Sequence, residues 1–123
     1  MGDNRPKNLN LFTIHFPIPA IVSILHRITG FILFLLVPLL LWALAYSLSY
    51  EGFGTLRHSL SSFGYKFFIW LLLIPFFFHL VAGVRHLLAD VHIGDTLKAG
   101  RLASVLTFII TAVLVLLAGV WLW

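Results

Sequence analysis

Three long apolar runs dominate this chain and limit what it can fold into. They cover residues 28–46, 67–88 and 102–123, and about 20 such residues are enough to cross a bilayer as a helix. Polar residues collect between the runs, at 50–62 and 92–100, where we expect loops, the first with room for a short surface helix. The sequence therefore predicts one all-α integral membrane domain over 1–123, with transmembrane helices at about 20–49, 63–91 and 101–123.

Composition agrees with a lipid environment. The chain is 61% hydrophobic and only 10% charged, and 123 residues offer too little interior to bury that much apolar surface in water. The absence of cysteine excludes disulfides, thiolate zinc sites and iron–sulfur clusters held by this chain. The net charge of +4 is spread over helix flanks, which argues against nucleic-acid binding. Trp121 and Trp123 fit interfacial anchors, as do Trp42 and Trp70.

Basic residues in the loops and at the edges of the spans predict the orientation. The N-terminus and the second loop with its edges carry Arg5, Lys7, Arg85, Lys98 and Arg101. The first loop and its edge carry only Arg57 and Lys66. Because basic loops stay in the cytoplasm, we expect a cytoplasmic N-terminus and a bacterial inner-membrane location. We see no signal peptide in the polar first 17 residues, so insertion would begin with the first span.

The first span carries a polar stripe near its N-terminal end. Ser23, His26, Arg27 and Gly30 follow one another at helical spacing and share one face. A hydroxyl, an imidazole and a guanidinium on one face can hydrogen-bond a carbonyl or hold a carboxylate. The alternative is that Arg27 extends to the headgroups while His26 bonds a neighbouring backbone carbonyl.

The second span carries two histidines on one face. His79, Ala82, Gly83, His86 and Asp90 follow the helical pattern, with small residues between the imidazoles. Small residues let a flat group such as a porphyrin approach the helix, and imidazole is a usual haem ligand. His79 is the deeper of the two. The alternative, that both histidines only bond neighbouring helices, stays open.

The remaining polar side chains fall into two groups. His15, His58 and His92 lie in flanks or loops, where we expect them to be solvated. Arg85 lies inside the second span, where an ionisable residue suggests a functional site.

Two motifs resemble a known family. Residues 5–30, from Arg5 to Gly30, and the segment His79-x-x-x-Gly83-x-Arg85-His86-x-x-x-Asp90 are similar to the two motifs of the cytochrome b556 subunits of succinate dehydrogenase. These are the larger membrane-anchor chains of complex II. The resemblance covers nearly the whole chain and includes the three-span layout. Ala89 departs from many relatives, which have a bulkier residue there.

The resemblance implies a role for each matching residue. It implies that His79 is one axial ligand of haem b, with the second ligand on a smaller anchor subunit. It implies that Ser23 and Arg27 line a quinone site. It places His26 and Arg27 near the haem propionates, where we also expect His86.

The resemblance also implies partners and a reaction. The partners are a flavoprotein subunit, an iron–sulfur subunit and a second small membrane anchor, and the reaction passes electrons from succinate to quinone with no catalysis by this chain alone. The alternatives are a haem-free structural anchor, a quinol:fumarate reductase anchor, and a small transporter or proton channel that uses the polar stripes. A transporter would act without partners, and three spans rarely enclose a pathway.

Overall fold

The computed structural model describes residue 2, residues 9–10 and residues 12–123. In these ranges the chain forms four helices: α1 (Ile18–Ser47), α2 (Tyr50–Leu60), α3 (Phe63–Asp90) and α4 (Leu97–Leu122). Three of them, α1, α3 and α4, are long and apolar enough to cross a membrane, which confirms the predicted all-α membrane fold. Arg5 and Lys7, which enter the charge count, and the start of the N-terminal motif lie outside the described residues.

Prolines mark the start of α1. Pro17 occupies the N-cap position in an extended conformation and Pro19 lies in the first turn. Proline suits this position because the first N–H groups of a helix have no intrahelical partner to lose. The helix ends at Ser47 and α2 follows after two residues, so the chain stays close to the membrane surface.

The first loop is largely helical. Ser49 caps α2, its hydroxyl accepting a hydrogen bond from the Gly52 amide at 3.0 Å. Glu51 lies in the first turn and Arg57 in the last, where each complements the helix dipole. This short helix turns the chain between α1 and α3.

The last helix, α4, begins at Leu97 rather than at Arg101, the expected start of the third span. The reason is a local cap: the Thr96 hydroxyl accepts a hydrogen bond from the Ala99 amide at 3.1 Å. The polar second loop is therefore shorter than its composition indicates, and Lys98 and Arg101 lie on the first turns of α4.

The α3–α4 contact depends on small hydroxyl residues. Ser104, Thr107 and Thr111 are buried on α4, and each donates to the carbonyl one turn earlier in its own helix at 2.7–2.8 Å. Their polar atoms are thus satisfied without a partner on α3, and their small size lets the two helices approach closely.

Two side chains of α3 bond the backbone of α4. Trp70 donates from Nε1 to the Val115 carbonyl at 2.8 Å, and Lys66 donates from Nζ to the Leu122 carbonyl at 2.8 Å. The Leu122 carbonyl has no acceptor role inside its helix because it lies at the helix end. Trp70, expected as an interfacial anchor, thus also packs against α4.

Candidate cofactor site

Three histidines meet between α1 and α3, near the end of the bundle where α1 begins. The rings of His26 and His79 stack, with centroids 4.1 Å apart and planes inclined by 7°. The ring of His86 lies 5.0 Å from that of His26, inclined by 46°. The structure thus brings together residues that the sequence placed on two separate helix faces. We call His26, His79 and His86 the histidine cluster.

The cluster forms because α1 and α3 run antiparallel. His26 lies eight residues into α1, about 12 Å along its axis, whereas His79 and His86 lie in the second half of α3. Below the rings, Val22 and Ala82 are fully buried and Phe78 is 6% exposed, with Leu25 packed against them. This apolar contact fixes the rotation of each helix about its axis and so keeps the imidazoles facing each other.

His79 is held by hydrogen bonds at one ring nitrogen. Its Nδ1 lies 3.0 Å from the carbonyl oxygen of His26 and 3.3 Å from Oγ1 of Thr29. A carbonyl can only accept, so the hydrogen bond to His26 requires the proton to be on Nδ1. The opposite nitrogen, Nε2, then carries the free lone pair, which is the state in which an imidazole binds a metal.

Thr29 was not expected from the sequence as a site residue. It is 8% exposed, and its hydroxyl has acceptors at Leu25, 2.8 Å away, and at the His26 carbonyl, 3.0 Å away. Because that hydroxyl donates to one of them, its oxygen remains able to accept from His79. The sequence contained one signal that Thr29 belongs to this site: it lies three residues after His26, and residues at that spacing share a helix face.

Two glycines leave room for the rings. A Cβ atom on Gly30 would lie 2.9 Å from Cε1 of His79, which is closer than real side chains approach. A Cβ atom on Gly83 would lie 3.4 Å from Nε2 of His26. Gly30 is therefore required by the position of His79, and a larger residue there would displace the ring.

The other polar residues of the predicted stripes lie outside the cluster. Ser23 is partly buried, Arg27 is exposed, and within residues 12–123 neither side chain makes a hydrogen bond. Asp90 is exposed at the end of α3. Their donors and acceptors are therefore free to meet a ligand or another chain. His15, His58 and His92 are exposed, as expected, and His92 pairs with Asp95 at 2.9 Å.

The cluster is not a metal-ion cage. Among the described residues, no group of three or more histidine, cysteine, aspartate or glutamate side chains converges in the geometry that would hold a metal ion. Stacked rings direct their nitrogens within parallel planes rather than toward one point. The arrangement instead offers one tethered imidazole whose free nitrogen can serve a group bound beside the helix.

These features define a class of protein: a three-span integral membrane chain with an imidazole-lined site between two antiparallel spans. The chain belongs to the succinate dehydrogenase/fumarate reductase transmembrane subunit family, which it matches over residues 1–118. The resemblance drawn from the two motifs is thus confirmed.

Individual relatives agree with this assignment. The chain is 41% identical over 125 residues to the succinate dehydrogenase cytochrome b556 subunit of Coxiella burnetii, covering all of both chains. It is 34% identical to the cytochrome b556 subunit of Rickettsia bellii, covering 83% of this chain and 80% of the relative. It is 36% identical to the cytochrome b560 subunit of Reclinomonas americana, covering 73% and 67%.

Proposed function

We propose that this chain anchors a succinate dehydrogenase in the membrane and binds haem b together with a second anchor subunit. The observation that carries the proposal is the tethered ring of His79. Its Nδ1 is occupied by the His26 carbonyl at 3.0 Å, which leaves Nε2 as the iron ligand. The relatives named cytochrome b556 support a b-type haem.

The residues around His79 fit such a group. Gly30 and Gly83 keep Cβ atoms away from the imidazoles, and Ala82 between them is also small. Stacking by His26 covers a face of the His79 ring and leaves the lone pair of Nε2 uncovered, so the stack is compatible with ligation at that nitrogen. The chain offers one deep histidine ligand in the described spans, so a second ligand to the haem would come from the partner anchor.

The haem, when bound, supplies a centre that takes up and releases one electron at a time. His79 would hold the iron through Nε2, because the hydrogen bond at Nδ1 fixes its tautomer. His26, Arg27 and His86 lie toward the end where α1 begins, where cationic and hydrogen-bonding side chains would neutralise the propionates. The haem site would thus use polar residues from both α1 and α3.

Ser23 and Arg27 would form this chain's part of a quinone site. They are one turn apart on α1, and neither side chain is committed to another described residue. Arg27 would polarise a quinone carbonyl and Ser23 would donate a hydrogen bond to it. Reduction of a quinone to quinol takes two electrons and two protons, and we assign the electrons to the partner's iron–sulfur clusters and the protons to water.

The rest of the complex follows from this role. The partners are a flavoprotein subunit that oxidises succinate, an iron–sulfur subunit, and a small membrane anchor that completes both the haem and the quinone site. Large apolar side chains remain exposed on all three spans, which leaves surface for lipid and for a partner's helices. The positive-inside rule supports an N-terminus on the cytoplasmic face of the inner membrane.

The test is a reduced-minus-oxidised spectrum of the complex purified from membranes. The wild type should show a b-type band, His79→Ala should lose it, and His58→Ala, which changes an exposed imidazole on α2, should retain it. A wild-type complex without the band would favour the haem-free structural anchor. A His79→Ala complex that retains the full band would reject His79 as the ligand.

The family description also includes fumarate reductases, so quinol-linked fumarate reduction is a second candidate. The histidines argue only against an anchor of that kind with two haems, which needs about four histidine ligands. Among the described spans only His26, His79 and His86 are available, and two of these stack on one another. Comparing the rates of succinate oxidation and fumarate reduction in the purified complex distinguishes the two.

A further inference from the structure

A cleft of about 510 Å³ opens between α3 and α4 at the end of the bundle that carries the second loop. Its size is within the roughly 300–1,000 Å³ typical of ligand pockets. Leu80, Val84 and Leu88 line it from α3, and Leu106 and Ile110 line it from α4. The walls are therefore aliphatic over about two helical turns, the surface that a hydrocarbon chain would contact.

Small residues create the gap. Ala89 and Gly94 lie on one side of the mouth, and Gly100 and Ala103 lie on the other. A Cβ atom on Gly100 would meet no other atom within 4 Å, so the mouth of the cleft is open there. Further along α4, the buried Thr107 and then Ile110 still line the cleft, whereas the buried Thr111 does not. The cleft therefore ends near Ile110, and its small lining residues lie mainly at the end that carries the second loop.

Arg85 is the one charged residue among those that line the cleft. Its Nε atom is buried and has no hydrogen-bond partner, and no carboxylate in the part of the chain that the structure describes lies within 4.0 Å of it. An unsatisfied buried donor is unfavourable, and more so when the group is charged. The Nε donor of Arg85 therefore requires an acceptor that the described residues do not supply.

The cleft is separate from the histidine cluster. Arg85 and His86 are consecutive on α3 and so point about 100° apart, Arg85 toward α4 and His86 toward α1. Arg85 also lies five residues before the end of α3 at Asp90, about 7 Å along the axis. At that depth its guanidinium can reach the headgroup layer while the aliphatic walls extend into the hydrocarbon.

We infer that the α3–α4 cleft binds an anionic phospholipid. Its phosphate would accept hydrogen bonds from Arg85, whose planar fork matches phosphate oxygens, and an acyl chain would lie along the aliphatic walls. Basic pockets between transmembrane helices near the membrane surface are a known means of binding acidic headgroups. Exposed Lys98 and Arg101 on the first turns of α4 add positive charge at the same end and favour a net-negative lipid over a zwitterionic one.

A helix of a partner subunit is the competing occupant. An apolar helix seated in the cleft would cover the walls but leave Arg85 Nε without an acceptor. A phosphate would accept a hydrogen bond from that donor and neutralise its charge. A phospholipid therefore explains both the aliphatic walls of the cleft and the unpaired Nε of Arg85.

The first experiment measures lipid that remains bound to the complex purified in mild detergent. We expect the wild type to retain phosphatidylglycerol or cardiolipin, and Arg85→Gln to bind added dioleoylphosphatidylglycerol about fivefold more weakly. The matched control is Arg57→Gln, which removes the same charge from an exposed arginine on α2, at the opposite end of the bundle from the cleft. Equal weakening in both variants, or in neither, would overturn the site.

Two further measurements keep the inference testable if Arg85→Gln fails to assemble. Dioleoylphosphatidylglycerol should raise the thermal stability of the wild-type complex while dioleoylphosphatidylcholine does not, and Gly100→Leu, which adds a side chain at the open mouth, should remove that difference. A photo-crosslinking residue at Leu106 should label lipid. Crosslinking to a partner subunit instead, or equal stabilisation by both lipids, would reject the phospholipid.

Discussion

The Nδ1 atom of His79 lies 3.0 Å from the backbone carbonyl oxygen of His26, across the contact between α1 and α3. The same two residues stack their rings with centroids 4.1 Å apart. His26 thus acts on His79 twice, through its carbonyl, which no side-chain substitution removes, and through its imidazole. The position and tautomer of His79 are therefore set by the backbone of α1 as well as by α3.

Thr29→Val should raise the midpoint potential of the bound haem. The change removes the hydroxyl that lies 3.3 Å from Nδ1 of His79, so the imidazole becomes a weaker electron donor to iron. A loss of about 0.5–1 kcal/mol corresponds to about 20–40 mV for a one-electron couple. A spectroscopic redox titration measures it. Thr29→Ser, which keeps the hydroxyl, should leave the potential near that of the wild type, and an equal rise in both variants would reject the role of the hydrogen bond.

Gly30→Ala should lower the haem content of the purified complex. The new Cβ would lie 2.9 Å from Cε1 of His79, so the ring must move from the position that its hydrogen bonds define. Gly54→Ala is the control, because a Cβ there meets nothing within 4 Å, and it should stabilise α2 by about 0.5–1 kcal/mol. Haem per protein, determined by pyridine haemochrome, is the measurement. Full haem occupancy in Gly30→Ala would show that the close contact is not required.

Ser23→Ala and Arg27→Gln should lower quinone reduction while succinate oxidation with a soluble acceptor stays unchanged. Loss of a hydrogen bond from a charged donor is worth about 1.5–3 kcal/mol, so Arg27→Gln should reduce quinone turnover about tenfold or more. Ser47→Ala, at the far end of α1, is the control. Unchanged quinone reduction in both variants would reject the site assignment.

Trp70→Phe should destabilise the α3–α4 contact. The indole donates to the Val115 carbonyl at 2.8 Å and lies against Gly119, and interhelical hydrogen bonds in membranes are worth about 0.6 kcal/mol on average. Trp121→Phe changes a side chain that is 84% exposed and should have a smaller effect. Thermal unfolding of the purified complex compares the two. A larger loss for Trp121→Phe would mean that partner contacts outweigh the Trp70 hydrogen bond.

The membrane spans could be read from the sequence because hydropathy over about 20 residues is a local property. The residues that share a face were also predictable, since His79, Ala82, Gly83 and His86 follow the helical period. Only the structure shows how α1 is rotated about its own axis relative to α3. That rotation depends on packing among Val22, Phe78 and Ala82.

The features that sequence reasoning missed depend on contacts between elements or on single caps. In the sequence, Thr29 looks like any threonine within an apolar span. Its contact with His79 is visible only in the structure. The earlier start of α4 depends on one hydroxyl, that of Thr96, which composition does not reveal. The hydrogen bond from Trp70 to the Val115 carbonyl likewise depends on how α3 packs against α4.

The two hydrogen bonds from α3 to α4 have a consequence for vertical register. After Arg101, α4 carries no charged side chain that would resist sliding along the bilayer normal. Lys66 and Trp70 hold its far end by the carbonyls of Leu122 and Val115. The position of α4 along the bilayer normal is thus set by its hydrogen bonds to α3. The same bonds set the height at which Gly100 and Ala103 face Arg85.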